Sequence, residues 1–328
     1  ATDKKDYFSY FNRIDLDVSL LKNPMNTEEF NKVIQRDLED NPQDSFLFVL
    51  NTIKSSLRVY TFILENFPDR EIIYLSTNIV PKERLERINR IKTSKNCIVI
   101  STQLVEAGVD IDLDRVYRDF GPLDSINQVC GRCNRNGLKD KKGQVKIFNL
   151  LDENNKNKPF STYIYTDQIL GDKTRKSLSE FNEIIEEKDF FNLANSYFKQ
   201  LNKAKSDDIS DDLIKIIRSL NYDELNVELI PNSFKTIDLF IALDDEAENL
   251  WDSYREIYSK ENKRSRYEKQ AQFNRIKKDF LSFVISVPEK FYKDGKEGFN
   301  LVSRDMLRQY YDLATGFKRE DKQEDYFF

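Results

Sequence analysis

Histidine does not occur once in the 328 residues of this chain. That absence removes the usual general base near neutral pH and the commonest metal ligand together. A Ser-His-Asp triad, a His-rich zinc site and a His-Asp metal nuclease are all excluded from the chain. Cysteine is limited to Cys97, Cys130 and Cys133, an odd and small number that argues against a secreted disulfide scaffold. No apolar run approaches the roughly 20 residues of a membrane span, and no opening segment joins a basic start to an apolar stretch. The expectation is a cytoplasmic protein with no membrane partner. The formal charge of −5 gives no global footprint for nucleic acid, so any such binding has to come from a local surface. The pattern G-x-x-x-x-G-K-[ST], whose backbone cradles phosphates, is also missing, as is an acidic box of the DEAH kind.

Glycine is scarce and its placement is uneven. Five of the nine glycines (Gly108, Gly121, Gly131, Gly137 and Gly143) fall between residues 108 and 143. Glycine marks places where the backbone turns sharply or comes close to something, which makes this region the one to search for a site.

The chain then reads as an alternation. RIDLDVSLL (13–21) is strand-like, and NTEEFNKVIQRDLEDNP follows it as a helix with Asn26 or Thr27 at its N-cap. Short apolar runs at 45–51, 71–77, 97–102, 115–120 and 143–151 alternate with helical periodicity at 54–66, 81–90 and about 124–135. Strands of this kind, with helices between them, imply parallel βαβ units covered on both faces. In such sheets ligands sit beyond the carboxyl ends of the strands. Residues 1–151 therefore form one doubly wound α/β domain, 152–231 a charged helical linker, and 232–328 a small α+β domain. In the last part, 244–280 reads as one or two long helices and 281–303 as two strands joined by a turn containing Gly295 and Gly298.

Within QVCGRCNRNG (128–137), helical spacing places Gln128, Arg132 and Arg135 on one face within roughly 60° and Ile126, Cys130 and Cys133 on the opposite one. The cysteines continue an apolar stripe, where free cysteine behaves as a small buried hydrophobe. Two guanidinium forks on a polar face beside Gly131 suit a polyphosphate.

STQLVEAGVDID (101–112), RDFGPLDSINQ and GRCNRNG together resemble motifs V and VI of superfamily 2 helicases, with wording nearest the CRISPR-associated helicase–nuclease of type I systems. The likeness runs nearly unbroken over 101–137; VLNTIKSS (49–56) resembles motif IV and YLSTNIVPKERLERI (74–88) the segment after it. The resemblance implies a RecA-like parallel sheet with helices on both faces, followed by a helical linker and a small α+β C-terminal domain. It implies that Arg132 and Arg135 are arginine fingers reaching a γ-phosphate, with Gln128 opening their motif. Gly108 and Asp110 would lie near the nucleotide, and Asn51, Thr52, Ser101 and Thr102 would meet single-stranded DNA. Val129 departs from the pattern, standing where many relatives carry another arginine.

As a whole, such an enzyme is an ATP-driven single-strand translocase that degrades DNA opened by an RNA-guided surveillance complex. ATP and magnesium would be held mainly by an N-terminal half carrying the nuclease and first RecA-like domains, so that this chain alone is inactive. Three rival readings stand beside it: a helicase fragment outside CRISPR defence, a non-catalytic nucleic-acid-binding module, and a thiol redox protein built on Cys130 and Cys133. The basic, aromatic stretch 260–278 reads first as a solvated helix face and second as a groove for single strands.

Overall fold

Side chains legible in the sequence decide where the first helices begin. In the computed structural model, Asn26 caps α1 (Thr27–Asp40): its Oδ1 accepts from the Glu29 amide, and the Glu29 carboxylate accepts from the Asn26 amide in return. Thr52 and Ser55 form the same reciprocal pair at α2 (Ile53–Asn66), and Pro81 opens α3 (Pro81–Thr93) at the position proline favours. The structure describes residues 10–139, 141–204, 208–221, 235–292 and 298–319.

Between these helices run β1 (Ile14–Asp17), β2 (Phe46–Val49), β3 (Ile72–Leu75), β4 (Ile98–Ser101), β5 (Arg115–Asp119) and β6 (Gly143–Phe148), with α4 (Leu123–Cys130) after β5. Their order is β3-β4-β2-β5-β6-β1, with every neighbouring pair parallel. Both faces are covered, which is why β2 and β4 are buried at every residue and read as continuous apolar runs rather than alternations. On one face α1 and α2 pack over Phe46, Phe48, Tyr117 and Phe148, and Phe30 stacks on Phe148 with centroids 4.0 Å apart. On the other, Leu47, Val49, Val99, Val116 and Val145 meet α4 through Ile126, Val129 and Cys130.

Beyond residue 151 the chain does not leave this core. After α5 (Gln168–Leu178), the short strand β7 (Ile184–Glu186) pairs antiparallel with β1 as a seventh strand, and α6 (Phe190–Ala204) follows. Leu178, Ile185, Leu193 and Tyr197 are buried in the same cluster as Val99 and Ile126. The sequence shows only linking helices here, because a three-residue strand is too short for its period to register.

A second sheet is built from β8 (Thr236–Ile241), β9 (Val284–Pro288) and β10 (Phe299–Val302), with α8 (Asp245–Tyr258) and α9 (Arg266–Leu281) between β8 and β9; a helix at Asp208–Arg218, α7, precedes it. The strands expected to form a hairpin do not pair with each other: β8 lies between them, antiparallel to β9 and parallel to β10. The reason is that TIDLFI is apolar on both faces and takes the central place, with Ile237, Leu239 and Ile241 in one cluster and Phe240 in another. Of the expected turn, Gly295 lies outside the described residues.

This unit docks where β3 ends. Phe317 N donates to Asn78 O (2.8 Å), Asn78 Nδ2 donates to Phe317 O (3.0 Å), and the Arg87 guanidinium joins the Tyr74 carbonyl to those of Ala314 and Leu313. Gly316 has φ +85°, and a Cβ there would collide with the Asn78 carbonyl. Gly316→Ala is therefore expected to destabilise the docked state by about 1–3 kcal/mol through overpacking and backbone strain. Trp251, the single tryptophan, packs against Phe240 and Phe280 in this unit and reports the change as a lower urea midpoint in fluorescence. An unchanged midpoint would show that the contact does not hold the unit in place.

Candidate functional site

Three loops at the carboxyl ends of the strands are tied to one buried guanidinium. Arg118, near the end of β5, is 0% exposed. Its Nη1 donates to Asn51 Oδ1 (2.7 Å) and Asp119 O (2.8 Å), and its Nη2 to Glu106 Oε1, Ser125 Oγ and the Tyr165 hydroxyl, each at 2.8 Å. Burial alone opposes the charge, but the Tyr165 hydroxyl and the Glu106 and Asp119 carboxylates outweigh it and hold the arginine above its usual value. Asp119 accepts from Asn51 Nδ2 (2.7 Å) and from the amides of Phe120 and Leu150. Burial nevertheless pushes its carboxyl up to about 7. Glu106 is raised by burial as well, against the pull of Arg118 and Ser125.

Of the strand-end residues expected to meet DNA, Asn51 belongs to this hub. Asn51 spends both ends of its amide on Arg118 and Asp119, and its carbonyl accepts from Gln103 Nε2. Thr52 is buried as the cap of α2. Ser101 and Thr102 are buried at the end of β4, where Ser101 Oγ has no hydrogen-bond partner among the described residues. The four adjoin one another, since β2 and β4 are neighbours and Leu50 N donates to Ser101 O.

The glycine- and arginine-bearing residues lie elsewhere. Residues 102–113 cross one face of the sheet from the carboxyl end of β4 to the amino end of β5, laid down by buried Val105, Val109, Ile111 and Leu113. Gly108 turns this segment with φ +71° and is exposed, and a side-chain carbon added to it would meet nothing within 4 Å. The helix expected to continue through Arg135 ends at Cys130. Past that point amides turn to carbonyls three residues back, and the chain pairs with Leu113: Leu113 N donates to Arg132 O (3.0 Å) and Asn134 N to Leu113 O (2.9 Å). Arg132 and Arg135 thus stand on a turn rather than on a helix face, and exposed Gln128 remains on the last turn of α4. The carboxyl-end rule describes the Asn51–Thr102 group but not this turn, which lies beside the amino ends of β5 and β6.

Burial separates the two arginines. Arg132 is 7% exposed, and its Nε and Nη2 donate to the carbonyls of Val105 and Glu106, both at 2.8 Å. Burial and the neighbouring Arg135 lower its pKa. Arg135 keeps 39% of its side chain exposed; its Nε pairs with Asp110 Oδ1 at 3.1 Å, and its Nη1 donates to the Gly131 carbonyl at 3.3 Å. Lys92 Nζ reaches the same aspartate at Oδ2, 3.5 Å away. Asp112 fixes the turn by accepting from the amides of Arg135 (2.9 Å) and Asn136 (3.3 Å).

Cys130 and Cys133 are buried and form no disulfide. Burial pushes the Cys130 thiol up to about 12 and Cys133 well above its usual value, the opposite of a reactive thiolate. Among the described residues no three His, Cys, Asp or Glu side chains are grouped to hold a metal ion. In the basic stretch of α9, Phe273 is buried among Tyr254, Tyr258 and Phe280, whereas Tyr267 is 87% exposed.

A parallel sheet covered on both faces, crossed by a glycine-turned segment that an arginine clasps, defines a RecA-like lobe with a small α+β companion. A family model described as "CRISPR-associated nuclease/helicase Cas3, C-terminal" matches residues 42–138. The CRISPR-associated nuclease/helicase Cas3 of Haloferax volcanii is 27% identical over 246 residues, 67% of this chain and 26% of that protein. Its counterpart from Methanothermobacter thermautotrophicus is 29% identical over 150 residues, 44% of this chain and 17% of that protein. The chain thus spans about a quarter or less of the length of these relatives. The crystal structure of T. fusca Cas3 with AMPPNP shares the fold at a TM-score of 0.57 and 16% identity, covering 89% of this chain and 39% of that one. Over the matched residues this chain is similar to the C-terminal region of the CRISPR-associated nuclease/helicase family, and it shares the fold of a solved member.

Arg118, Asp119 and Glu106 were not singled out as site residues in the sequence, although all three lie within the stretches STQLVEAGVDID and RDFGPLDSINQ. Removing one partner of a buried ionic group costs about 3–5 kcal/mol, so Arg118→Met should lower the urea midpoint of the chain accordingly. A loss under about 1 kcal/mol would show that water replaces the guanidinium.

Asp119 gives a pH test. Its folded pKa, about 7, stands above the unfolded 3.8, so the folded state holds a proton that the unfolded state has released. The stability it contributes is full below about pH 4 and is lost as pH rises through about 7. Stability measured relative to Asp119→Asn should accordingly decline between about pH 4 and 8. A difference that stays flat over that range would contradict the raised pKa.

Proposed function

We propose that this chain is the second RecA-like domain and C-terminal accessory domain of an ATP-dependent single-stranded DNA translocase with nuclease activity, working in type I CRISPR defence. The observation that carries the reading is the turn at 131–137. It presents one half-exposed arginine, Arg135, with its backbone held by Asp112 and its guanidinium resting on exposed Asp110. A first RecA-like domain, bearing the phosphate loop and acidic box that this chain lacks, would hold ATP and magnesium. The bound nucleotide supplies the γ-phosphate whose transfer drives movement.

The residues here fit an approaching polyphosphate. Gly108 leaves open space beside the turn, and the carboxylate that pairs with Arg135 faces solvent. In this reading Arg135 leaves Asp110 and stabilises charge developing on the transferred phosphoryl group. Arg132 keeps the loop at 105–106 in place through its two carbonyl bonds, and Gln128 and Asp110 border the nucleotide. Asn51, Thr52, Ser101 and Thr102 form the floor of the DNA path at the carboxyl edge, acting through the backbone they fix. Ser101 Oγ is the hydroxyl there left with an open bond among the described residues.

A solved structure of similar fold is described as a CRISPR RNA-guided surveillance complex, pre-nicking; its TM-score is 0.51 at 14% identity, covering 90% of this chain and 42% of that one. We assign the same kind of partner to the whole protein. No helix among the described residues is long and apolar enough to cross a membrane, and the proposed site of action is the cytoplasm.

The test joins this chain to a first RecA-like domain and measures ATP hydrolysis with and without single-stranded DNA. The chain alone should be inactive, and the joined protein should show DNA-stimulated turnover. Arg135→Ala should then lower kcat by about 10³-fold, the lower end of what an arginine finger supplies. Turnover within a few-fold of the unmodified protein would end the finger assignment, and no turnover on joining would favour a non-catalytic module.

A further inference from the structure

The backbone of the Arg135 turn is held by residues far from it in the sequence. Arg13, just before β1, donates from Nη1 to the Arg135 carbonyl at 2.7 Å. The Arg13 carbonyl accepts from Asn134 Nδ2 and from Gly143 N, both at 2.9 Å. Gly137, at φ +62°, lies against the Arg13 stem, where a side-chain carbon would come within 3.2 Å of Cδ. With Asp112 on the Arg135 amide and Arg13 on its carbonyl, both polar groups of that peptide segment are fixed.

Arg13 is itself held by Glu187, 174 positions further on. Glu187 follows β7 and is only 5% exposed. Its Oε2 accepts from the Arg13 amide (2.7 Å), and its Oε1 from Arg13 Nε (3.0 Å) and Nη2. Three charge-assisted bonds from one carboxylate leave Arg13 a single orientation, with Nη1 aimed at the turn. β7 is already secured by its ladder to β1 from Ile184 to Glu186, so this carboxylate is not needed to close the sheet.

We propose that Glu187 is a positioning residue that acts through Arg13 to set the backbone of the Arg135 turn. The inference rests on Arg135 being the arginine finger. A finger contributes only when it is preorganised, and a misplacement on the order of 1 Å can cost about 10²-fold in rate. Residues beyond the first 151 therefore reach back to complete the catalytic lobe.

Two measurements test this. In the chain joined to a first RecA-like domain, Glu187→Gln should lower DNA-stimulated kcat about tenfold while leaving KM for ATP within about twofold. Arg13→Gln should do the same, and the double variant should be no worse than either single. Glu187→Asp, which keeps the charge, should recover part of the rate. In this chain alone, amide hydrogen exchange over 132–137 should quicken in Glu187→Gln and stay unchanged in Arg135→Ala. Unchanged exchange in Glu187→Gln, or losses that multiply in the double variant, would overturn the proposal. Arg135→Ala with full ATPase, beside quickened exchange in Glu187→Gln, would instead remove the finger reading and leave the brace standing.

Discussion

A guanidinium with no exposed surface ties the ends of β2, β4 and β5 to the start of α4. Taking such a charge out of water costs several kcal/mol, and only a full set of partners offsets it. Arg118 has nearly that set: its two terminal nitrogens meet an amide oxygen, a backbone carbonyl, a carboxylate and two hydroxyls, while Nε is left without a partner among the described residues. Because these partners lie after β2, after β4, at the end of β5, at the start of α4 and at Tyr165, the energy that stabilises the charge also fixes these segments relative to one another. None of them can shift without leaving a buried polar group unpaired.

The two arginines of the 131–137 turn show how burial divides work between chemically identical groups. Arg132 faces inward and spends its donors on two carbonyls of the crossing segment, a structural task. Arg135 faces outward, and the charged group its guanidinium meets is an exposed carboxylate. A guanidinium that must meet a ligand has to be easily released from its resting partner, and a surface ion pair worth about 0–1 kcal/mol meets that condition. The cysteine between them contributes volume: Cys133 Sγ fills the space a side chain on Gly143 would need.

Most of the sheet was legible because strands covered on both faces leave uninterrupted apolar runs, and because Asn26 and Pro81 signal helix starts by local chemistry; the cap at Thr52, expected instead to meet DNA, was not read. The end of α4 was not. Helical spacing placed Gln128, Arg132 and Arg135 on one face, but Leu113, well before them in the chain, draws the backbone out of the helix after Cys130. The buried side of Cys130 and Cys133 follows from the apolar pattern either way, reached in one case by the helix and in the other by the pairing. Arg118 was invisible for a related reason. Whether a charge can be buried depends on partners such as Asn51, 67 positions away, and no local pattern records them. The same holds for Arg13 and Glu187, and for the central place of β8.

The crossing segment 102–113 joins two edges of the sheet that the proposed function treats as separate sites. At the carboxyl edge its Glu106 is bound to Arg118, next to Asn51 and Ser101, and the C-terminal unit docks on the same edge at Asn78. At the amino edge its Asp112 holds the amides of the Arg135 turn. Buried apolar residues seat the segment between these clamps, so it behaves as a strut rather than a flexible loop. A translocase of the kind proposed would have to convert a change at its nucleotide into a change along its DNA path. In this chain a displacement of the Arg135 turn cannot be absorbed by slack in the segment. It has to break the Asp112 bonds or be passed to Glu106 and the Arg118 hub, and the second route leaves the buried charges paired.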